Sequence, residues 1–145
     1  MNVLLAIDDS EFSTAAVQSV IEKFRPGDTQ VHVLHVVGPI AVSAPPQMAP
    51  GYAPELEELV KEGQKLVEAA AEKLRKAGFR VTASVEKGDP RSAIVDHAAA
   101  WPADMIVVGS HGKRGLTRFL LGSTSEAVAR FAPCSVQIVR KPRSG

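Results

Sequence analysis

The stretch Gly109-Ser110-His111-Gly112-Lys113-Arg114-Gly115-Leu116-Thr117-Arg118-Phe119-Leu120-Leu121-Gly122-Ser123-Thr124-Ser125 gathers the residues of this chain best suited to holding a ligand. Glycine has no Cβ, so a backbone built from it can come close to a ligand and adopt positive φ. The stretch follows an apolar run, 105–108, and leads into Ser123-Thr124-Ser125-Glu126, the spacing of a capping box with Ser123 as N-cap and Glu126 at N3. Free N–H groups at such a helix start, together with the hydroxyls of Ser123, Thr124 and Ser125, make an anion site, and a phosphate chain is its natural guest. A surface loop with an ordinary N-cap is the plainer alternative. Two common phosphate loops are excluded. Gly112-Lys113 is followed by Arg114 where a Walker A loop needs Ser or Thr, and no strand–helix turn carries G-x-G-x-x-G.

Asp8 ends the first apolar run, where a carboxylate would accept hydrogen bonds from ribose hydroxyls. The competing reading makes it an acid at a helix start, with Asp9 and Ser10 capping. Lys113, Arg114 and Arg118 would neutralise phosphate, although a solvated loop carries charge in any case. Arg140, Lys141 and Arg143 read as a solubilising tail rather than a nucleic-acid patch. His32 and His35 sit three apart on a strand, which points them to opposite faces, and neither His97 nor His111 adds ligand spacing, so no protein-held metal is expected. Cys134 precedes an apolar strand and reads as a small buried hydrophobe without a basic neighbour to activate it.

The elements that must position these residues alternate in type. Residues 3–7 form a continuous apolar run, as in a strand buried on both faces. Ala16, Val17, Val20, Ile21 and Phe24 make one stripe of a helix over 13–24, which Pro26-Gly27 ends. A second strand covers 31–37. From Gly38 to Pro54 lie five of the ten prolines and little periodicity, the mark of a loop. A long helix is predicted over about 55–77, with Gly78 as its left-handed C′ residue. Residues 80–86 alternate as a third strand. Asp89 and Pro90 read as N-cap and N1 of a helix to about residue 100. A fourth strand covers 105–108, a last helix reaches about residue 131, and a fifth strand runs from Ser135 to Arg140. The order βαβαβαβαβ predicts a doubly wound, Rossmann-like α/β fold: a five-stranded parallel sheet in the order 3-2-1-4-5 with helices on both faces. Ligands in such a fold sit beyond the carboxyl ends of the strands at the switch point, which points to Asp8-Asp9-Ser10, Val37-Gly38, Gly88-Asp89 and the stretch after Val108.

Composition bounds the rest. One hundred and forty-five residues suit a single domain over 1–145, and a chain of that size buries roughly 68–70% of the surface its unfolded form exposes. An apolar content of 45% excludes general disorder, and a net charge of +1 argues against a broad footprint on nucleic acid or anionic lipid. The single cysteine excludes an internal disulfide framework. No apolar run approaches the ~18–20 residues of a membrane span, and Asp8 interrupts the N-terminal run before it could act as a signal peptide. The expectation is a soluble cytoplasmic protein.

The spacing Gly109-x-x-Gly112, nine residues, then Gly122-Ser123 resembles the nucleotide motif of the ATP-binding branch of the universal stress protein family. So do Val107-Val108-Gly109-Ser110-His111-Gly112, Leu121 to Glu126, Ala132-Pro133-Cys134-Ser135-Val136, the opening Leu5-Ala6-Ile7-Asp8-Asp9-Ser10 and the Gly88-Asp89-Pro90 turn. The resemblance covers the chain apart from the Pro-rich loop. It implies ATP held at the ends of strands one, two and four, with Mg²⁺ or Mn²⁺ carried by the phosphates. By position, Asp8 would hold ribose and the Val36 backbone would read adenine. Gly109 and Gly112 would line the nucleotide, while Gly122, Ser123, Thr124 and Ser125 would cradle phosphates. It also implies a homodimer, and the apolar last strand at a sheet edge suits that contact. The function expected is an ATP-binding regulatory module of the stress response with at most slow hydrolysis. An ATPase or nucleotidyl transferase of the related pyrophosphatase type is the alternative, though Ile7-Asp8-Asp9-Ser10 lacks the Ser-Gly-Gly-x-Asp-Ser it requires. A phosphorelay receiver is a third reading, suggested by Asp8-Asp9 and Lys141-Pro142 but without a phosphoacceptor aspartate at the expected distance.

Overall fold

The computed structural model describes residues 1–38, 54–112 and 120–141. Residues 39–53 of the Pro-rich loop, Lys113, Arg114, Gly115, Arg118 and Arg143 lie outside the described residues. Five strands, β1 (Asn2–Ala6), β2 (Gln30–Val37), β3 (Arg80–Lys87), β4 (Met105–Gly109) and β5 (Ser135–Val139), alternate with four helices. These are α1 (Glu11–Lys23), α2 (Pro54–Lys76), α3 (Pro90–Ala100) and α4 (Ser123–Phe131). The strands are parallel and lie in the order β3-β2-β1-β4-β5. β1 is central, and the winding reverses between it and β4, so the expected fold class and strand order are those observed.

The apolar run of β1 is continuous because both of its faces are covered. Val3 and Leu5 pack with Val31, Val33 and Val107 against Val17, Val20, Val67 and Leu74 of α1 and α2. Leu4 and Ala6 pack with Leu34, Ile106 and Val108 against Ile94, Ala98 and Val128 of α3 and α4. Local signals set the helix ends. The Ser10 hydroxyl caps α1 by accepting the Ser13 N–H at 3.2 Å, so the helix starts at Glu11, ahead of its apolar stripe. Asp89 caps α3 through the Arg91 N–H at 3.0 Å, with Pro90 at N1. Gly78 takes φ +99° after α2, its N–H reaching Arg75 O at 2.9 Å and the Phe79 N–H reaching Leu74 O at 3.1 Å, the paired bonds of a Schellman ending. That turn delivers the chain straight into β3.

Candidate functional site

The carboxyl ends of β1, β2 and β4 open into a groove of about 410 Å³. Asp8, Val36, Gly109, Gly112, Gly122, Ser123, Thr124 and Ser125 all line it, brought together from four separate parts of the chain. The volume lies in the range of small-molecule sites, ~300–1,000 Å³.

Asp8 follows the last residues of β1 and is fixed by a serine the sequence reading passed over. The Ser13 hydroxyl donates to Asp8 Oδ1 at 2.8 Å and accepts the Asp8 N–H at 2.7 Å. Oδ2 is left on the side of Gly112. Ser10 takes the capping role, leaving Asp8 as a part-buried carboxylate at the groove. The hydroxyls at positions 10 and 13 after an acid were the signal available for this arrangement.

Val36 presents its peptide rather than its side chain. In a parallel strand both polar groups of one residue face the same neighbour, and successive residues alternate. Leu34 O accepts the Ile7 N–H at 2.9 Å, toward β1, while Val37 O accepts the Gly88 N–H at 3.0 Å, toward β3. The N–H and C=O of Val36 therefore face the β1 side, at a level where β1 has ended, and so look into the groove.

The three described glycines of the motif supply space, not unusual backbone, since none has positive φ. Each gives room to a different neighbour. A Cβ on Gly109 would stand 2.7 Å from Phe12 Cβ and 2.9 Å from the Phe12 backbone carbon, so Gly109 lets α1 pack against the end of β4. A Cβ on Gly112 would stand 2.8 Å from Asp8 Oδ2. A Cβ on Gly122 would press on His111 Cα at 3.2 Å and Ser110 O at 3.3 Å. The expectation that these glycines serve left-handed turns is corrected accordingly. Gly109→Ala is expected to lower stability by about 1–3 kcal/mol, because the obstruction is backbone as well as side chain. Thermal unfolding of the variant checks this, and an unchanged midpoint would show that α1 yields freely.

The start of α4 is also displaced by one residue from the predicted box. Gly122, extended at φ −64° and ψ 157°, is the N-cap, and Ser123 is N1. The Glu126 N–H makes the first helical bond, to Gly122 O at 2.9 Å, and its carboxylate reaches Arg130 at 3.4 Å rather than folding back. The Ser125 hydroxyl is committed to Ser110 O at 2.8 Å and Gly122 O at 3.0 Å, which removes it from the phosphate-binding hydroxyls expected. What the helix presents to the groove is the N–H groups of Ser123, Thr124 and Ser125, none bonded to a described residue, and the hydroxyls of Ser123 and Thr124.

Histidines complete the picture in ways that depend on distant partners. His35 Nδ1 donates to Ile7 O at 2.8 Å, closing the end of β1, and α2 comes close enough that a Cβ on Gly63 would meet His35 Cδ2 at 2.7 Å. His35 and His111 both line the groove. His32 faces the other way, between Thr82 Oγ1 at 2.6 Å and Ser84 Oγ at 2.7 Å, stacked on His97 with ring centres 4.6 Å apart. Burial first, and the charge of a protonated His97 second, hold the His32 imidazole down from 6.5 to about 4, with Glu86 pulling the other way. A base held down in the fold is protonated more easily in the unfolded chain. The His32 contribution to stability is therefore full above pH 6.5 and is lost as the pH falls through 6.5 toward 4. Urea midpoints between pH 7.5 and 4.5 should fall on acidification, and His32→Gln should flatten that slope; an equal slope would place the acid sensitivity elsewhere.

Comparison with known proteins gives a consistent match. The sequence pattern of the Universal stress protein family fits residues 1–140. Universal stress protein YxiE of Bacillus subtilis is 33% identical over 144 residues, spanning 95% of this chain and 97% of that protein. The structure of universal stress protein UspA from Lactobacillus plantarum has a TM-score of 0.77 at 26% identity, covering 97% of each chain. A universal stress protein family protein from Arabidopsis thaliana, solved with AMP bound, has a TM-score of 0.70 at 23% identity, covering 99% of this chain and 93% of that one, a likeness of fold.

Proposed function

Because the chain belongs to the universal stress protein family, we propose that it is a single-domain, homodimeric, ATP-binding regulatory module of the cytoplasmic stress response. The observation that carries this is the pairing, in one groove, of an anchored carboxylate with three N–H groups at a helix start that bond to no described residue. Adenine lies against the Val36 peptide, whose N–H and C=O match the donor and acceptor edge of the base. Ribose hydroxyls donate to Asp8. Gly109 and Gly112 line the nucleotide, and the phosphates meet Gly122 and the N–H groups of Ser123, Thr124 and Ser125, where the α4 dipole favours negative charge. Mg²⁺ or Mn²⁺ would be carried by the phosphates, with the groove-lining hydroxyls of Ser123 and Thr124 available to it. The AMP held by the Arabidopsis thaliana protein agrees in ligand class.

Fast phosphoryl transfer needs a cationic clamp and a base or water-positioning group. Among the described lining residues there is no Lys or Arg, and the one carboxylate is Asp8, occupied by ribose. The module reading is preferred over the ATPase or transferase for that reason. A receiver domain has the strand order 2-1-3-4-5, which the observed order excludes. Titration calorimetry with ATP and Mg²⁺ tests the proposal: saturable binding is expected, with turnover far below the ~10 s⁻¹ median of enzymes. No heat of binding would overturn the ligand, and turnover near that median would make the protein an enzyme.

A further inference from the structure

We propose that His111 is a positioning residue for the phosphate end of the groove, holding together the two ends of the 112–120 segment; the proposal rests on the nucleotide reading above for its ligand. His111 Nε2 is hydrogen-bonded to Leu120 O, nine residues on. A carbonyl only accepts, so Nε2 carries the proton. In the neutral ring Nδ1 is then a lone pair, and Ser110 Oγ, 3.0 Å away, donates to it. The ring is held from a third side by Phe12 of α1, with centres 5.1 Å apart and planes at 52°.

Around this contact the backbone is already tied. Ser110 O accepts both the Gly122 N–H at 2.9 Å and the Ser125 hydroxyl at 2.8 Å, and the Ser110 N–H reaches Val139 O at 2.8 Å. Those bonds tie residue 110 to Gly122 and Ser125. The His111 bond adds a second tie: it fixes residue 120 relative to residue 111, and with it the approach of the chain from Leu120 to Gly122. Gly122 is the phosphate-side glycine of the site, whereas Asp8 and Val36 are held by Ser13 and by the β2 ladder. The imidazole therefore steadies the phosphate side of the groove, while Asp8 and Val36 are held by other groups.

The experiment compares ATP with adenosine on three forms of the full chain. His111→Phe keeps a ring against Phe12 and removes both nitrogens; His111→Gln retains a side-chain N–H donor for Leu120 O. Loss of one hydrogen bond to the carbonyl should weaken ATP by about tenfold in His111→Phe. Adenosine affinity should be unchanged, and His111→Gln should recover most of the ATP loss. Equal losses for ATP and adenosine, or no loss at all, would overturn the proposal. If the unaltered chain binds neither ligand, the nucleotide reading fails and the phosphate role fails with it. The contact itself is judged independently by nitrogen NMR of the free protein: a neutral ring protonated at Nδ1 rather than Nε2 overturns it whatever the chain binds.

Discussion

Valine at position 112 is expected to leave the fold in place and to weaken ATP binding by about a hundredfold, the equivalent of roughly 2.7 kcal/mol. Gly112 is exposed and has no positive φ, so the backbone tolerates a side chain. The obstacle lies in the groove. A Cβ there would stand 2.8 Å from Asp8 Oδ2, and the branches of valine add methyl groups around the same oxygen. Asp8 is poorly able to retreat, because Ser13 binds both its N–H and its Oδ1. Either the carboxylate is displaced and those bonds break, or it stays and the methyl groups occupy the ribose position. Hydrogen bonds to a charged group contribute about 1.5–3 kcal/mol each, so losing the ribose contacts alone accounts for the expected drop. Calorimetry gives the affinity, and thermal unfolding shows that the variant is folded. An ATP affinity equal to that of the parent would separate the Asp8–Gly112 pair from the ribose. Gly109→Ala makes the contrast, since its Cβ meets Phe12 and should move stability rather than binding.

That contrast marks where the sequence stops being readable. The parallel sheet with helices on both faces followed from alternation of element types and from a first strand apolar at every position, both properties of neighbouring residues. The gathering of Asp8 with Gly109, Gly112 and the 122–125 residues at one groove followed from their places at strand ends, and Val36 from the family resemblance. The separate duties of Gly109, Gly112 and Gly122 did not, because each is set by a neighbour the chain order does not reveal: Phe12, Asp8 and the 110–111 backbone. The cap of α4 slipped by one residue for a similar reason. Ser110 O, fifteen residues back, accepts the Ser125 hydroxyl, and Glu126 turns to Arg130, so the box that the local spacing offers is never closed. His111 looked inert because its partners are a carbonyl and a hydroxyl, which leave no trace in residue spacing.

Ile138→Pro is expected to convert a dimer of twice 15.4 kDa into a folded monomer. β5 is an edge strand, paired on one side with β4. Val139 O accepts the Ser110 N–H, so residue 139 directs its polar groups toward β4. By alternation, Val136 and Ile138 direct theirs outward, to the free edge. An edge of this kind, unpaired among the described residues, with half-buried Val136, Ile138 and Val139 and no inward charge, is a template for another strand. Two copies related by a two-fold axis pair it with itself in an antiparallel ladder and close the assembly. Among the described tail residues, Lys141 forms a 2.7 Å ion pair with Glu11 at the start of α1, which draws the chain over that face rather than along the edge. Proline at 138 removes an outward N–H while every β4-facing donor survives, so the ladder between copies is lost before the fold is. Sedimentation equilibrium reads the mass, and circular dichroism confirms the fold. A parent chain that stays at 15.4 kDa at high concentration would end the edge proposal. A proline variant that remains dimeric would move the contact elsewhere, and the exposed Leu120 and Phe131 side chains are then the surface to test.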